Sequence, residues 1–333
     1  MRLSSVRAAG IAFLLTLTGG AAANDTTAEI GAGGLVYARS DDVSIESETL
    51  FLSMDRVTVD YLFRNHASYD VETVVAFPMP DIDMDPYADI AVPRMNDNFL
   101  GFSVEADGQA IEPELQQRAY AKGVDVTDLL TEAGLPVSPL AFYNGDLDLA
   151  TLPQETVAEF VERGIATAYY DPAKGEYVPP VEPIWTLKSA YWWRMTFPAN
   201  ADVTVHHEYM PAVGGTVGVF FLDSAELAAE YEDTYCTDAS FVRGLKRRQA
   251  EAVARGEIGY TERWLSYVLT TGGNWAGSIK HFRLIVDKGS EKNLVSFCGE
   301  GVKKIGPTTF EMEKSEFWPQ RDLDILFVTA VEP

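Results

Sequence analysis

The chain has 333 residues and carries 26 lysines and arginines against 50 aspartates and glutamates, a formal net charge of −24. That excess of acid excludes nucleic acid and anionic lipid as general partners and favours solubility. With 47% apolar residues there is material for a sizeable core, as one large domain or two ordinary ones.

The first 23 residues read as a signal peptide. Arg2 and Arg7 supply a positive start, Ala8 to Leu17 is a short apolar run, and Ala21-Ala22-Ala23 is a small-residue cleavage site. The apolar run is about half the length needed to span a bilayer, so a cleaved leader is expected and not a retained anchor. Asn24 is the expected mature N-terminus, and the expected compartment is the periplasm or the exterior. No cysteine follows the cleavage site, so lipid attachment is not indicated, and no later stretch is apolar enough to serve as a transmembrane anchor. The two cysteines, Cys236 and Cys298, are expected to form one disulfide in an oxidising compartment. It would close a loop of about 60 residues and contribute roughly 4 kcal/mol on the chain-entropy model. Two separate buried thiols are the alternative.

The mature chain opens with strands. Leu35 to Tyr37, Val43 to Leu52 and Arg56 to Phe63 are short runs with apolar alternation. In the third, Val57, Val59, Tyr61 and Phe63 share one face, as in a half-buried antiparallel strand. After a turn at Asn65 to Tyr69, Val71 to Phe77 returns and ends at Pro78 and Pro80. Phe99 to Val104 follows, with a turn at Asp107-Gly108. The middle changes character. Asp125 is placed to cap a short helix through Leu130, and a second helix runs from Pro153 to Gly164. The proline-rich stretch Asp171 to Pro183 reads as a surface loop. Strands resume at Ile184 to Phe197 and Val203 to Tyr209. A capping-box-like start at Asp223 and Glu226 and a cap at Asp238 then mark two helices, the second ending near Arg255. Arg263 to Thr271, Ile279 to Val286, Leu294 to Cys298, Thr309 to Met312 and Leu323 to Val328 complete the strands.

The expected fold is mostly β, α+β overall, with two antiparallel β-sandwich halves and a helical insertion. The boundaries expected are a signal peptide over 1–23, an N-terminal sandwich over 24–112 and a helical and loop insertion over 113–183. A C-terminal sandwich over 184–333 would carry a helical pair at about 223–255.

Three segments are distinctive: Asn24 to Leu35 (NDTTAEIGAGGL), Val75 to Asp81 (VAFPMPD), and Tyr267 to Ile279 (YVLTTGGNWAGSI) running on to Val286-Asp287-Lys288. On these the chain resembles the secreted bacterial family catalogued as domain of unknown function 4424, along essentially the whole mature length. The family name implies no activity and transfers no site residues. Val57 to Gly108 alone is also similar to the VIT-type β-sandwich of extracellular proteins, which implies an adhesive or scaffolding module by analogy of fold.

Several groups are candidates for chemistry. Asp81, Asp83 and Asp85 place carboxylates at alternate positions, an oxygen-rich pattern that suits Ca²⁺ but lacks the EF-hand spacing, so a solvated acidic loop is the expectation. His206 and His207 are neighbours in a strand and point to opposite faces. His206 and Glu208 share a face, and a third ligand such as His281 would complete a zinc site, but no recognised spacing supports it and one exposed and one packed histidine is the expectation. The Gly31 to Gly34 run lacks the context of a phosphate-cradling loop and reads as a turn. No metal and no cofactor is expected. Arg243, Lys246, Arg247 and Arg248 form a basic knot on one helix, placed to bind an anionic partner or to pair with the protein's own acids. In the strand ending at Phe197, Tyr191, Trp193, Met195 and Phe197 form an apolar face, leaving Trp192 on the mixed face beside Arg194. An accessible Trp beside Arg suits recognition, with cation–π stacking between them. A helix of the insertion covering Trp192 is the competing expectation.

These readings favour a non-enzymatic periplasmic binding or scaffolding protein of the bacterial envelope, whose partner would be an envelope protein or glycan. A carboxylate-dependent enzyme acting on envelope polysaccharide or peptidoglycan is the alternative, and it needs two acids converging in one cleft.

Overall fold

The computed structural model describes residues 24–31, 34–83, 89–91, 98, 100–142, 147–257 and 259–331. The segment read as a leader and Asp85 lie outside the described residues.

In chain order the first strands are β1 (Thr26–Gly31), β2 (Gly34–Tyr37), β3 (Val43–Leu52), β4 (Val57–Asn65) and β5 (Val71–Pro78). Short strands β6 (Ile82–Asp83), β7 (Asp89–Ala91), β8 (Ser103–Ala106) and β9 (Gln109–Ile111) follow, then β10 (Glu114–Ala121) and β11 (Val124–Asp125). Helices α1 (Thr127–Glu132) and α2 (Gln154–Arg163) precede β12 (Ala166–Asp171), β13 (Glu176–Pro183), β14 (Thr186–Phe197), β15 (Asp202–Tyr209) and β16 (Val213–Gly215). Helices α3 (Ala225–Tyr235) and α4 (Ala239–Ala254) come next. The chain closes with β17 (Tyr260–Tyr267), β18 (Ile279–Asp287), β19 (Leu294–Phe297), β20 (Lys303–Lys304), β21 (Thr309–Phe317) and β22 (Leu323–Ala330).

Among the described residues three larger sheets form. The first runs β11-β10-β14-β5-β1-β2, with β6 also on β14. The second runs β20-β21-β18-β3-β4-β15-β8-β9, and the third β19-β22-β17-β16-β7. Mostly β with four helices, this is the class the sequence implies. The interleaving is not visible in the sequence. Strand β14 pairs with β5, β15 with β4, and β18 runs parallel to β3, so strands from 24–112 and from 184–333 complete the same sheets.

Period-two patterning explains the main core. Along β4, Val57, Val59, Tyr61 and Phe63 are buried and their alternates less so. They meet Phe77 of β5, Trp193 of β14, Phe282 of β18 and Phe327 of β22 in one cluster spanning the three sheets. Trp185, Leu130 and Phe160 anchor a second cluster beneath α1 and α2, and Leu245 and Ala252 of α4 seat on Leu326 and Val328 of β22. The Sγ atoms of Cys236 and Cys298 are bonded at 2.12 Å, tying the end of α3 to the residue after β19.

Three local expectations are corrected. Asp171 to Pro183 belongs to the β12–β13 hairpin and is no loop. Each strand of a two-stranded hairpin has an open edge, so prolines 179 and 180 remove no ladder donor that an inner strand would need. Helix α3 is capped by Ser224, whose Oγ accepts from Leu227 N at 3.0 Å, not by the box at Asp223. Asp125 accepts from Thr127 N at 2.9 Å but stands one residue outside the cap position, which Val126 fills. Asp238 does cap α4, accepting from Phe241 N at 2.7 Å, and Gly164 ends α2 at φ +72°.

The two faces of β14 predict different mutational costs. Trp193 is 3% exposed within the main core. Trp193→Ala is expected to lower stability by about 3–5 kcal/mol. Trp192 is half-buried on the other face, and Trp192→Ala is expected to cost about 1 kcal/mol. Urea denaturation of the two variants beside the parent measures both.

Candidate functional site

Between the sheets lies a cluster of polar groups with almost no contact with solvent. Asn24, Asp25, Glu48 and His207 are each 0% exposed. Local sequence explains how charged groups come to point inward. A register shift between Ile45 and Ser47 in β3 changes the parity of that strand, so Glu48 joins Leu50 and Leu52 on the core face. His207 is the inward member of its pair, with Val205 and Tyr209 on the same face of β15, while His206 points out and meets Asp60 at 2.7 Å.

Asn24 is held through all its polar atoms. Its backbone N donates to Thr271 Oγ1 at 2.9 Å, and Thr271 Oγ1 donates to its carbonyl at 2.6 Å. Its Nδ2 donates to Glu48 Oε2 at 3.1 Å and to Leu269 O at 3.4 Å, and its Oδ1 accepts from the Tyr61 hydroxyl. Asp25 O accepts from Trp275 Nε1 at 2.7 Å, and Asp25 Oδ2 lies 3.1 Å from His207 Nε2. The turn Thr270–Asn274 is shaped to this segment. A Cβ on Gly272 would sit 2.5 Å from Asn24 Nδ2. The His207 ring stacks on Phe77 at 5.0 Å between centroids and is bordered by Phe102 and Trp193. The segments 24–35, 75–81 and 267–279 therefore meet at one place, although they are remote in sequence.

Burial decides the electrostatics. The Glu48 carboxyl is pushed up to about 8, chiefly by desolvation, against the hydrogen bond from Asn24 and with the Asp25 charge adding to the rise. Desolvation also holds the Tyr61 and Tyr267 hydroxyls well above their ordinary value. Asp25 Oδ1, Glu48 Oε1 and His207 Nδ1 have no hydrogen-bond partner among the described residues.

A second feature is open to solvent. A cleft of about 170 Å³ lies where the sheets meet, lined by Met79, Leu100, Tyr209, Pro211, Ala212 and Trp264, with Asp81 and Ser266 among its polar members. Gly214 of β16 lets the Trp264 ring lie against the backbone, because a Cβ there would collide with the indole. Nothing in the alternation around Trp264 marks it out from a packing residue. Its partner in register is Gly214, three residues past Pro211, in the Gly214-Gly215 pair that was the available signal.

The sequence-predicted residues are dispersed. Asp81 accepts from Lys188 Nζ at 2.5 Å. Asp83 falls in β6 on a backbone whose side chain is not described, and Asp85 lies outside the described residues. His206 and His281 stand on β15 and β18, three strands and about 14 Å apart across the sheet. That is too far for a shared zinc. Arg243, Lys246 and Arg247 are exposed on α4, and Arg247 reaches Glu251 at 3.9 Å. Arg248 donates to the carbonyls of Lys292 and Glu291 at 2.8 and 3.4 Å. Trp192 lies on the outer face of the first sheet, where it and Leu35 of the β1–β2 hairpin both pack against Ala28, Val74 and Ala76. The hairpin is pinned to the same sheet by Leu35 N donating to Gln116 Oε1 at 2.9 Å. Arg194 is exposed, and among the described residues no cation–π contact joins it to Trp192.

Fold and site together define an interleaved three-sheet β protein built around an internal polar cluster. The model of one family, domain of unknown function 4424, matches residues 23–326. The chain belongs to that family. No curated protein matches it. Among solved structures it is similar to a "putative nutrient binding protein" from Legionella pneumophila, at 16% identity and a TM-score of 0.44, covering 92% of this chain and 71% of the other.

The raised Glu48 carboxyl sets a pH dependence. With residue 23 attached, the folded chain favours protonated Glu48 more than the unfolded chain does. Its contribution is therefore full below about 4.5 and is lost as pH rises towards about 8. In the unprocessed chain, Glu48→Gln is expected to flatten this part of the stability profile and to raise stability at pH 8. Denaturation midpoints across pH 4 to 9 measure it.

Proposed function

We propose that the protein is exported and acts by binding, without catalysis, in the bacterial envelope. One observation carries this reading. The buried polar groups Asp25, Glu48 and His207 are sealed at 0% exposure, whereas the cleft between the sheets is reachable along the half-buried Trp264, with the buried side chains of Tyr209, Met79 and Leu100 behind it and Asp81 and Ser266 as its polar members. An acid–base pair must reach its substrate to act. An apolar cleft with an aromatic wall needs only to be filled. At about 170 Å³ it is below the usual range for a small-molecule pocket and has room for one anchoring side chain of a partner or one ring of a glycan. Export is supported by the N-terminal pattern, by the Cys236–Cys298 bond and by a family match that begins at residue 23. No helix among the described residues is long and apolar enough to cross a membrane. Trp192, half-buried next to exposed Arg194, is a second position that a partner can reach on the outer face of the first sheet. The exposed arginines and lysine of α4 are a third, for an anionic partner.

Filling the cleft tests the reading. Ala212→Trp should abolish retention of partners captured from envelope extract, while Trp192→Ala should leave retention intact if the cleft is the main contact. Ala212→Trp should keep the parent melting profile, and Trp192→Ala should stay folded with a loss of about 1 kcal/mol. Retention by Ala212→Trp of everything that the parent captures would refute the cleft, and turnover of envelope glycan or peptide by the purified protein would refute a purely binding role.

A further inference from the structure

The polar cluster has a charge problem that its own side chains leave open. Two carboxylates, Asp25 and Glu48, are taken wholly out of water, and each keeps an oxygen without a hydrogen-bond partner among the described residues. Unpaired buried carboxylate is costly, and native structures supply a cation or a proton. Among the described residues no lysine or arginine is hydrogen-bonded or ion-paired to either carboxylate, and His207 reaches only Asp25.

The residue that all these groups surround is Asn24. It follows the small-residue run Ala21-Ala22-Ala23 directly, so it is the first residue of the mature chain if the leader is removed there. Its backbone nitrogen is already directed into the cluster, donating to Thr271 Oγ1. As a peptide nitrogen it has one proton to give. As a terminal ammonium it has three, and the cluster holds two further carboxylate oxygens with nothing to accept from, Asp25 Oδ1 and Glu48 Oε1.

We propose that hydrolysis of the Ala23–Asn24 bond completes the fold: the α-ammonium group released on Asn24 is the buried counter-ion of Glu48 and Asp25. The step consumes one water through an envelope endopeptidase. The C–N bond breaks, Ala23 keeps the new carboxylate, and the Asn24 amine takes up a proton. The carboxylates then accept from a full positive charge at low dielectric, where charge-assisted hydrogen bonds are strongest. The site is built for a chain end. Thr271 grips both backbone atoms of Asn24, Tyr61 and Glu48 hold its side-chain amide, Trp275 fixes the next carbonyl, and Gly272 leaves the space that Asn24 occupies. Processing thereby changes the stability of the protein as well as its location.

This inference rests on the export reading for the position of the cut, and the test separates the two. The full mature chain is prepared with a sequence-specific protease so that it begins at Asn24, and a second form keeps Gly-Ala ahead of Asn24. An amine-acylating reagent at neutral pH, followed by mass spectrometry of the N-terminal peptide, reports access to the α-amine. It should react about tenfold or more slowly in the native protein than in the same protein in urea, since only opened molecules expose it. The Gly-Ala form should melt at a lower temperature than the Asn24 form, and that difference should shrink when both carry Glu48→Gln. Native acylation as fast as in urea overturns the proposal. So does an equal melting temperature for the two forms, or a difference that Glu48→Gln leaves unchanged, which would mark a purely steric effect. If the extended form does not fold, the acylation rate of the Asn24 form decides alone. The mass of the protein recovered from the periplasm settles the natural cut separately. A start other than Asn24 there would count against a cut after Ala23 and against the biological use of the site, while the two defined forms still decide the chemistry.

Discussion

The structure depends on burying a short, polar stretch of chain between sheets that are otherwise apolar. Asn24 and Asp25 run into the interior where hydrocarbon would be the easier filling, and the surrounding elements provide their hydrogen bonds. Thr271 and Trp275 come from the segment after β17, Tyr61 from β4, Glu48 from β3 and His207 from β15. A buried polar network rigidifies a fold when its members are satisfied and is costly when they are not. This network therefore fixes how the three sheets sit on one another, since sliding any sheet would break bonds that no water can replace. The aromatic rings around His207 seal it from the side, and the turn at Gly272 seals it from the end.

The same arrangement explains why the family resemblance rests on segments that look unrelated in the sequence. NDTTAEIG, VAFPMPD and YVLTTGGNWAGSI supply, in turn, the polar stretch, the ring that stacks on His207, and the turn that grips Asn24. Each contributes one wall of a single internal structure. Their distinctiveness follows from packing requirements as much as from any surface activity, and the VAFPMPD segment serves both, since Phe77 stacks on His207 while Met79, Pro80 and Asp81 line the cleft beside Trp264 and Tyr209.

Much of the secondary structure was legible because it obeys period two with one apolar face. Strand β3 coincides with Val43 to Leu52, and β14 buries Tyr191, Trp193, Met195 and Phe197 as its alternation demands. Strands without that signal were lost. In β10, with the sequence ELQQRAYA, the outward positions are long and polar. Strand β1 buries threonines whose hydroxyls find partners remote in the chain, Thr26 with Asn274 and Thr27 with Thr73. The candidate site was harder to read for a related reason. Glu48 faces inward only because β3 shifts register after Ile45, so a strict count puts it on the opposite face from Val43 and Ile45. Asp25 and Asn24 resemble any polar mature terminus until the Thr270–Asn274 turn closes on them. Nothing local in the chain announces a partner some 250 residues away.

The parallel pairing of β3 with β18 has a further consequence, for the order of events during synthesis. Ser47 lies opposite His281, and β3 is an inner strand of its sheet, so that sheet stays open along β3 until nearly the whole chain has emerged. Contacts so distant in sequence close slowly, because a long loop must be restrained before any bond rewards it. The nascent chain is therefore denied its central sheet for most of its synthesis. A polypeptide that cannot finish folding early is one that can still be threaded through a narrow channel, and this topology builds that delay into the molecule itself.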